Sequence, residues 1–461
     1  MQTKPRTPRS VLNRTLDNLA SGWKRISQLG NTRVLKLRPN LPDSDLKKLK
    51  LQMQDCLESK GGEVSSRARA AGLGQAYLEL NDEGRYRFFK LLAKEFGIDR
   101  GALESTARAY LENTDDPEIP ETMRAVLRPP WIKLFTQFNA LPSGIKFLVD
   151  MRADMLRLSK QRTGLEALNN DLKNLLISWF DIGFLDLKRI TWNEPAALLE
   201  KVIEYEAVHE ILSWEDLKNR LDRDRCCYAF FHPRMPNEPL IFVQVALVNG
   251  LSTNVGKLLD NSAPSEDPEN ADTAIFYSIS NTQFGLRGVS LGDFLIKRVV
   301  ADLIKTFPNL KTFSTLSPVP GFRDFLAQVL DKGYSDMLDD SEKLTLRQLL
   351  GGDSSDWLKD EEISRAAKPL LMRLCVHYLL NEKRGTGARD SVANFHLTNG
   401  ARIEQINWLG DLSEQGMQRS LGLMVNYLYK LSDIEKNHEA YVGQGEILCS
   451  TPVKSLLKKT Q

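Results

Sequence analysis

The chain has 461 residues and a mass of 52.2 kDa, and its 62 Lys and Arg residues nearly balance its 60 Asp and Glu residues. Hydrophobic residues make up 42% of the chain and charged residues 26%, a composition that fits two or three globular domains and excludes a disordered or low-complexity protein. The net charge of +2 gives no general affinity for nucleic acid or for an anionic membrane surface, so neither partner is expected.

Cysteine content and hydropathy point to a reducing compartment. Five cysteines without a CxxC pair argue against a disulfide framework and against a structural zinc site. The most apolar segment, Leu240–Val248, is far shorter than the roughly 20 residues that a membrane helix needs. No apolar signal segment opens the chain, while residues 1–40 hold nine Lys and Arg and a single acid, Asp17. We expect the bacterial cytoplasm, with the mitochondrial matrix as the alternative.

The first third of the chain has the apolar spacing of helices. Apolar residues recur at helical spacing from Leu165 to Trp179, and similar patterns predict helices over Arg85–Phe96 and Ile145–Leu158. Alternating β-branched runs are scarce before residue 190. These patterns predict an all-helical domain over residues 1–178, without a cluster of catalytic spacing and with a role in packing or oligomerisation.

The pattern changes to that of an α/β domain after Trp192. Short apolar runs predict strands over Cys226–Phe231, Leu240–Val248 and Ala274–Ile279. A helix is then predicted over Leu291–Phe307 and a strand over Leu310–Leu316. Consecutive strands followed by one crossover helix are typical of an α/β unit.

The last third is predicted to mix helices with loops. Helices are predicted over Glu362–Leu380 and Gln415–Leu431, and the basic, glycine-containing segment Glu382–Asp390 between them is predicted to be a mobile loop. Together with the α/β unit, these elements predict a catalytic domain over residues 179–461.

A glycine-rich turn precedes the crossover helix. The segment Gln283–Phe294 reads QFGLRGVSLGDF, and its three glycines lie between a predicted strand and a predicted helix. Glycine allows close approach of the backbone to an anion, and a helix start offers unpaired N–H groups, so a pyrophosphate would fit here. The spacing matches neither a Walker loop nor GxGxxG, and a plain strand-to-helix turn explains it equally well.

Two further segments carry side chains suited to catalysis. Ser317, in LSPVPGFRDF, follows a predicted strand end, where active-site groups often lie, although it would also serve as the cap of the next helix. His396, in NFHLTNGA, is one of five histidines and has Asn394 and Asn399 beside it. A lone histidine is often structural. No HExxH motif and no metal-ligand spacing is present in the sequence.

Several stretches together resemble the malonyl-CoA decarboxylase family. They are WFDIGFLDLKRITW (179–192), EAVH (206–209), FYSISNTQFGLRGVSLGDFLIK (276–297), FSTLSPVPGF (313–322), NFHLTNGARIEQINWLGDLS (394–413) and MVNYLY (424–429). Any one of them could arise by chance. In this order, over about 250 residues, they make a specific match that leaves the N-terminal third largely uncovered.

The resemblance implies a two-domain α+β protein, in which a helical N-terminal domain used in oligomer contacts precedes an acyl-CoA N-acyltransferase-like α/β catalytic domain. It implies decarboxylation of malonyl-CoA to acetyl-CoA and carbon dioxide by a homo-oligomer, in the family a tetramer. The malonyl thioester is its own electron sink, so no cofactor and no metal is expected.

The resemblance also assigns the site residues. It places catalysis on Ser317 and His396 and matches Tyr429 to an active-site tyrosine. Our own hypothesis adds that Tyr429 and Asn394 orient the acyl group. It places the CoA loop on Arg287, Gly288, Val289, Ser290, Leu291, Gly292 and Asp293. Some members of the family have a glutamate where this chain has Ser290, so a role for that carboxylate cannot apply here.

Other functions remain compatible with the same residues. An acyl-CoA-dependent acyltransferase would also hold CoA at a glycine-rich turn, but it would need an acceptor amine. A non-catalytic regulator would bind malonyl-CoA without consuming it. A Ser-His hydrolase would release the free thiol.

Overall fold

The computed structural model describes residues 21–27, 36–58, 62–292, 295–331, 337–351 and 356–458. These residues form two compact units. The first unit takes the described chain up to Leu185 together with His232–Glu238 and Gln283–Ser290. The second takes Asp186–Phe231, Pro239–Thr282 and the described chain from Leu291. The domain boundary after residue 178 stays a prediction.

The first unit is built mainly from helices. Its helices are Asp43–Leu57, Gly62–Leu78, Asp82–Glu95, Arg100–Glu112, Ile119–Val126, Pro130–Asn139, Gly144–Leu158 and Glu166–Trp179. The three helices predicted here from apolar spacing are therefore confirmed, with ends that shift by up to three residues. Buried aromatic rings fill the core between them, and Phe147 meets the edges of Trp23, Tyr77 and Phe138 at centroid distances of 4.7, 5.5 and 5.1 Å.

An eight-stranded mixed sheet forms the centre of the second unit. In chain order its strands are β1 (Asp186–Ile190), β2 (Arg225–His232), β3 (Met235–Val248), β4 (Thr273–Asn281), β5 (Thr312–Thr315), β6 (Ser317–Pro318), β9 (Arg402–Asn407) and β10 (Met424–Leu428), while β7 (Lys383–Arg384) and β8 (Gly387–Ala388) form a separate hairpin. The spatial order is β1-β2-β3-β4-β5-β10-β6, and β9 also pairs with β10. The predicted sequence of strands, crossover helix and strand is confirmed, and with it the fold class.

The sheet opens between β4 and β5, which run parallel because the crossover helix Leu295–Thr306 connects them. Their pairing ends at Phe276 and Thr315. Beyond that point β4 continues to Asn281. The segment after β5 turns away to form β6, which pairs with β10. The two strands therefore diverge and leave a space in the middle of the sheet.

Helices and short turns surround this sheet. The helices of the second unit are Ala196–Tyr205, Trp214–Arg220, Val255–Leu258, Leu295–Thr306, Phe322–Asp331, Asp340–Gly351, Glu361–Asn381, Ser391–Thr398, Glu414–Ser420, Ile434–Gln444 and Thr451–Ser455. None of the helices in the described ranges is long and apolar enough to span a membrane.

Two predictions for the last third were wrong. The segment Gln415–Leu431 is not one helix, because the helix ends at Ser420 and Leu421 and Gly422 follow with φ of 50° and 78°. The aromatic and β-branched residues after them form β10 in the sheet. The segment Glu382–Asp390, predicted to be a mobile loop, contains the hairpin of β7 and β8.

Candidate active site

Ser317 lies at the point where the sheet opens. It begins β6 and pairs with Val425 of β10, which holds its backbone in place. Its buried Oγ donates to Thr315 Oγ1 at 2.9 Å and lies 3.0 Å from His396 Nε2. The next helix begins only at Phe322, so the alternative of Ser317 as the cap of that helix is wrong.

His396 reaches this serine from the helix Ser391–Thr398. Asp390 caps the helix, since its Oδ1 accepts from the backbone N–H groups of Val392 and Ala393 at 3.0 and 2.9 Å. The imidazole stacks on the ring of Tyr427 at a centroid distance of 4.6 Å. Burial lowers the pKa of His396 to about 3, so the ring is neutral at pH 7.

Tyr429 holds the other side of the imidazole. It follows β10, and its backbone N–H donates to Phe313 O of β5 at 2.8 Å. Its buried hydroxyl lies 2.8 Å from His396 Nδ1, and burial raises the pKa of this phenol well above its ordinary value. The resemblance assigned Ser317, His396 and Tyr429 to one site, and the structure brings all three together.

The hydrogen-bond pattern assigns the protons in this chain of contacts. Among the described residues, Nδ1 of His396 is the one acceptor in contact with the Tyr429 hydroxyl, and a buried hydroxyl hydrogen needs an acceptor. The neutral ring then carries its hydrogen on Nε2 and directs it at Ser317 Oγ. Ser317 in turn donates to Thr315. The donors run in one direction, from Tyr429 through His396 and Ser317 to Thr315.

Thr315 is a site residue that the sequence analysis missed. Its Oγ1 accepts from Ser317 at 2.9 Å and from the backbone N–H of Tyr427 at 3.1 Å. The available signal was its position two residues before Ser317, because side chains two apart in an extended chain share a face.

Asn394 is not brought to the pair. It lies on the exposed side of the same helix as His396, and its Oδ1 accepts from the hydroxyl of Tyr441 at 2.7 Å. That hydroxyl also accepts from the backbone N–H of Ala388 at 2.7 Å. Through Tyr441, Asn394 therefore links the helix to the β7–β8 hairpin. It points away from the serine and histidine because two residues along a helix place it about 200° around the axis from His396.

A cavity of about 320 Å³ opens beside the serine and the histidine. Its lining is Val208, Phe276, Tyr277, Ser278, Ile279, Asn281, Ser317, Pro318, Ser391, Val392, Phe395 and His396. Among the described residues that line it, none carries a formal charge at pH 7, since burial keeps His396 neutral. Nor do the described ranges contain a group of three His, Cys, Asp or Glu side chains that could hold a metal ion.

The glycines of the glycine-rich turn Gln283–Phe294 have different structural roles. A Cβ on Gly285 would lie 1.8 Å from the carbonyl oxygen of Val149, and Arg152 donates to the carbonyl of Gly285 at 2.5 Å, so this glycine serves packing. Gly288 has a φ of +79°, which favours glycine, and a Cβ there would lie 3.4 Å from Lys173 Nζ. Lys173 was not identified from the sequence, because it belongs to a distant helix.

The remaining loop residues divide into exposed and buried positions. Arg287, Gly288 and Ser290 are exposed, Val289 is half-buried and Leu291 is buried. Gly292 is packed so closely that a Cβ would lie 2.3 Å from the ring of Phe395, which lines the cavity. Asp293 lies outside the described residues.

Comparison with known proteins identifies the family of this chain. The family model described as malonyl-CoA decarboxylase C-terminal domain matches residues 183–461, and the model described as malonyl-CoA decarboxylase N-terminal domain matches residues 96–180. The chain belongs to the malonyl-CoA decarboxylase family. The mitochondrial malonyl-CoA decarboxylase of Anser anser anser is 38% identical over 400 residues, which are 80% of this chain and 79% of the relative.

Solved structures of malonyl-CoA decarboxylases are also similar. The enzyme from Rhodopseudomonas palustris has a TM-score of 0.85 at 40% identity and covers 89% of this chain and 99% of its own. The enzyme from Agrobacterium vitis has a TM-score of 0.84 at 41% identity and covers 89% of this chain and 100% of its own. The malonyl-CoA decarboxylase architecture therefore extends over most of the chain.

Proposed function

We propose that this protein decarboxylates malonyl-CoA to acetyl-CoA and carbon dioxide. The observation that supports this most directly is the buried contact of Ser317 with His396 and Tyr429 beside an uncharged cavity, in a member of the malonyl-CoA decarboxylase family. The other proposals for the site follow from the chemistry of that reaction.

The reaction needs a stabilised enolate. When the C–C bond to the carboxylate breaks, its electron pair moves towards the thioester carbonyl and carbon dioxide leaves. Donors held close to the carbonyl oxygen lower the barrier, because they stabilise the negative charge that develops there. The hydroxyl of Ser317, turned from Thr315 to the substrate, would be such a donor in the cavity wall, while Nε2–H of His396 continues to donate to Ser317.

The α-carbon then takes one proton, and Ser317 is placed to deliver it. Its Oγ would recover a hydrogen from Nε2 of His396, while Nδ1 would receive one from Tyr429. At the end of the cycle Nδ1 would return its hydrogen to Tyr429 while a proton from solvent enters Nε2 from the cavity. This restores the starting tautomer and accounts for the one proton that each turnover consumes. Tyr429 thus positions the imidazole and fixes which nitrogen carries the hydrogen.

An uncharged lining would favour the loss of carbon dioxide. The substrate carboxylate would meet hydroxyl groups and apolar side chains in this cavity but no cationic side chain among the described residues that line it. A carboxylate without a charged partner is poorly stabilised there, whereas carbon dioxide has no charge to solvate. The barrier to decarboxylation is lowered because the negative charge moves to the thioester oxygen, where a hydrogen-bond donor stabilises it.

The CoA moiety would bind along the loop Arg287–Asp293. Gly288 and Gly292 allow the tight path of this segment, and the exposed Arg287 supplies a cation for a phosphate. Lys173 adds a second cation beside Gly288. Both charges suit the pyrophosphate and the ribose phosphate of CoA.

The proposed assembly rests on the resemblance, and the proposed compartment rests on the cysteine content of the chain. We infer a homo-oligomer, in the family a tetramer, with contacts supplied by the helical domain of residues 1–178, and a bacterial cytoplasmic location with the mitochondrial matrix as the alternative. Light scattering coupled to size exclusion would measure the mass of the assembly.

Incubation with malonyl-CoA alone tests the proposed function. Acetyl-CoA, carbon dioxide and free thiol are measured without an acceptor or an added metal. Equal amounts of acetyl-CoA and carbon dioxide without thiol are the expected result. Release of thiol would indicate a hydrolase instead. Binding without consumption would indicate a regulator or, if an amine restores turnover, an acyltransferase.

A further inference from the structure

One carboxylate next to the cavity gathers an unusual number of hydrogen bonds. Glu206 follows the helix Ala196–Tyr205, in the EAVH stretch, and it is half-buried. Five donors converge on its two oxygens: Val208 N, His209 N, Ser278 Oγ and Ser280 Oγ on Oε1, at 2.8, 3.1, 2.7 and 3.1 Å, and Gln244 Nε2 on Oε2 at 2.7 Å. Because all five partners donate, the side chain acts as an acceptor on both oxygens.

Two of these five partners belong to the wall of the reaction cavity. Ser278 and Val208 both line it, together with Ser317 and His396. Glu206 is not among the described residues that line this cavity, and it lines instead a neighbouring cavity of about 940 Å³ that also contains Val208 in its lining. Any influence on the reaction would pass through Ser278 and the backbone of Val208.

The contact with Glu206 decides what Ser278 offers to the cavity. The hydroxyl hydrogen of Ser278 is directed at Oε1 of Glu206 at 2.7 Å, and the side chain is only 2% exposed. On its cavity side, Ser278 therefore presents lone pairs and accepts hydrogen bonds rather than donating them. A charge-assisted bond of this length also fixes the rotamer of the serine.

Neighbouring residues fix the carboxylate in turn. Gln244 donates to Oε2 of Glu206, and its own Oε1 accepts from the hydroxyl of Tyr277 at 2.9 Å, a bond that sets the direction of the amide. Gln244 and Ser278 are also paired across β3 and β4. The carboxylate therefore cannot turn away from Ser278 without breaking several bonds at once.

We propose that Glu206 is a positioning residue of the active site, which holds Ser278 as a hydrogen-bond acceptor in the cavity wall. This rests on the proposed decarboxylation of malonyl-CoA. Glu206 acts on turnover rather than on CoA binding, because its partners in the wall lie beside Ser317 and His396 and not on the CoA loop. A neutral glutamine in its place keeps one acceptor oxygen and replaces the other with an NH₂ group. It therefore cannot accept from both Ser278 and Gln244, and any bond that it keeps to Ser278 is no longer charge-assisted.

A double-mutant cycle tests this. Glu206→Gln, Ser278→Ala and the double variant are compared with wild type for kcat and KM on malonyl-CoA, and Glu210→Gln, an exposed glutamate of the same segment, is the matched control. We expect Glu206→Gln to lower kcat by about tenfold or more in the wild-type background, and by less than about threefold when Ser278 is already alanine. We expect KM to stay within about threefold and Glu210→Gln to match wild type.

Other results would overturn the proposal. Equal losses in both backgrounds would show that Glu206 only supports the fold, and wild-type kcat in Glu206→Gln would show that it has no role. If Glu206→Gln fails to fold by circular dichroism, the same cycle is run with Glu206→Asp, which keeps the charge and withdraws the acceptor by one C–C bond. A wild-type protein without decarboxylase activity would instead overturn the proposed function, and this inference with it.

Discussion

The Nδ1 atom of His396 and the hydroxyl of Tyr429 lie 2.8 Å apart, and both side chains are buried. A neutral imidazole carries one hydrogen. Because Nδ1 accepts a hydrogen bond from Tyr429, that hydrogen lies on Nε2, 3.0 Å from Ser317 Oγ. This relationship sets the protonation of the site, and no charged group among the described residues is hydrogen-bonded to the histidine.

Replacement of His396 tests its part in the chemistry. His396→Asn should lower kcat by at least about 100-fold, because a positioned donor is lost, while acetyl-CoA binds nearly as before. Steady-state kinetics and calorimetric titration measure the two effects. His438→Asn, at an exposed histidine, serves as the control. Near-wild-type turnover in His396→Asn would remove the residue from the chemistry.

The phenol of Tyr429 can be compared with a neighbouring phenol. Tyr429→Phe removes the donor to Nδ1, and we expect kcat to fall by about tenfold or more. Tyr427→Phe keeps the ring that stacks on His396 and removes a buried hydroxyl that has no hydrogen-bond partner among the described residues. Its Tm should rise, and its kcat should change much less than that of Tyr429→Phe. Equal kcat in the two variants would contradict the assigned proton on Nε2.

Ser317 should affect turnover more than affinity. Ser317→Ala removes a donor beside the developing enolate, so kcat is expected to fall by about 100-fold with a small change in KM. The matched variant is Ser314→Ala on β5, whose hydroxyl donates to the carbonyl of Tyr427 at 3.1 Å and does not line the cavity. It should lose stability but keep turnover. A change confined to KM in Ser317→Ala would make the serine a binding residue.

Gly292, a residue of the proposed CoA loop, packs against Phe395 of the cavity wall. A methyl group there would lie 2.3 Å from the ring of Phe395, so Gly292→Ala should displace that ring and lower kcat/KM by about tenfold or more. Gly443→Ala, in the helix Ile434–Gln444, meets nothing within 4 Å and should raise the Tm slightly. Unchanged kinetics in Gly292→Ala would show that the wall tolerates the shift.

The buried imidazole also predicts how stability depends on pH. Burial lowers the pKa of His396 from 6.5 to about 3, so between these values the unfolded chain binds a proton that the folded protein does not. The free energy of unfolding should therefore rise with pH through this window, by up to about 1.4 kcal/mol per pH unit from this residue, and fall as the solution is acidified.

Urea unfolding at pH 5 and pH 7 measures that difference. His396→Asn should show a smaller gain in stability between the two pH values than wild type, since it lacks the titrating ring. His438→Asn provides the comparison for the loss of an exposed ring. The same pH gain in His396→Asn and wild type would mean that the imidazole is protonated in the folded protein.

Hydrophobic periodicity correctly predicted the elements whose apolar residues form a continuous pattern within one segment of the chain. The helix Glu166–Trp179 and the strands β3 and β4 were found because each has a continuous apolar signal. The strand β10 was predicted to be helix, because the apolar residues after Gln415 also fit helical spacing. Its pairing with β5, β6 and β9 outweighs that local pattern.

The candidate site was predictable only in part, because contacts between distant segments do not show in a local sequence pattern. Ser317, His396 and Tyr429 were identified through their motifs, which the resemblance ordered along the chain. The contact of Glu206 with Ser278 joins residues 72 positions apart, and nothing in either segment alone indicates it. Asn394 was expected beside the pair because it is close in sequence, but the turn of the helix carries it to the opposite face.

The groups proposed for catalysis come from elements that differ in thermal stability. Ser317 and the chain before Tyr429 belong to the sheet, whereas His396 comes from a helix of eight residues that Asp390 and the contact of Asn394 with Tyr441 hold in place. A helix of two turns does not persist without such contacts, and local opening precedes global unfolding in proteins. Warming should therefore abolish turnover while the circular dichroism of the sheet is still unchanged, and cooling should restore it.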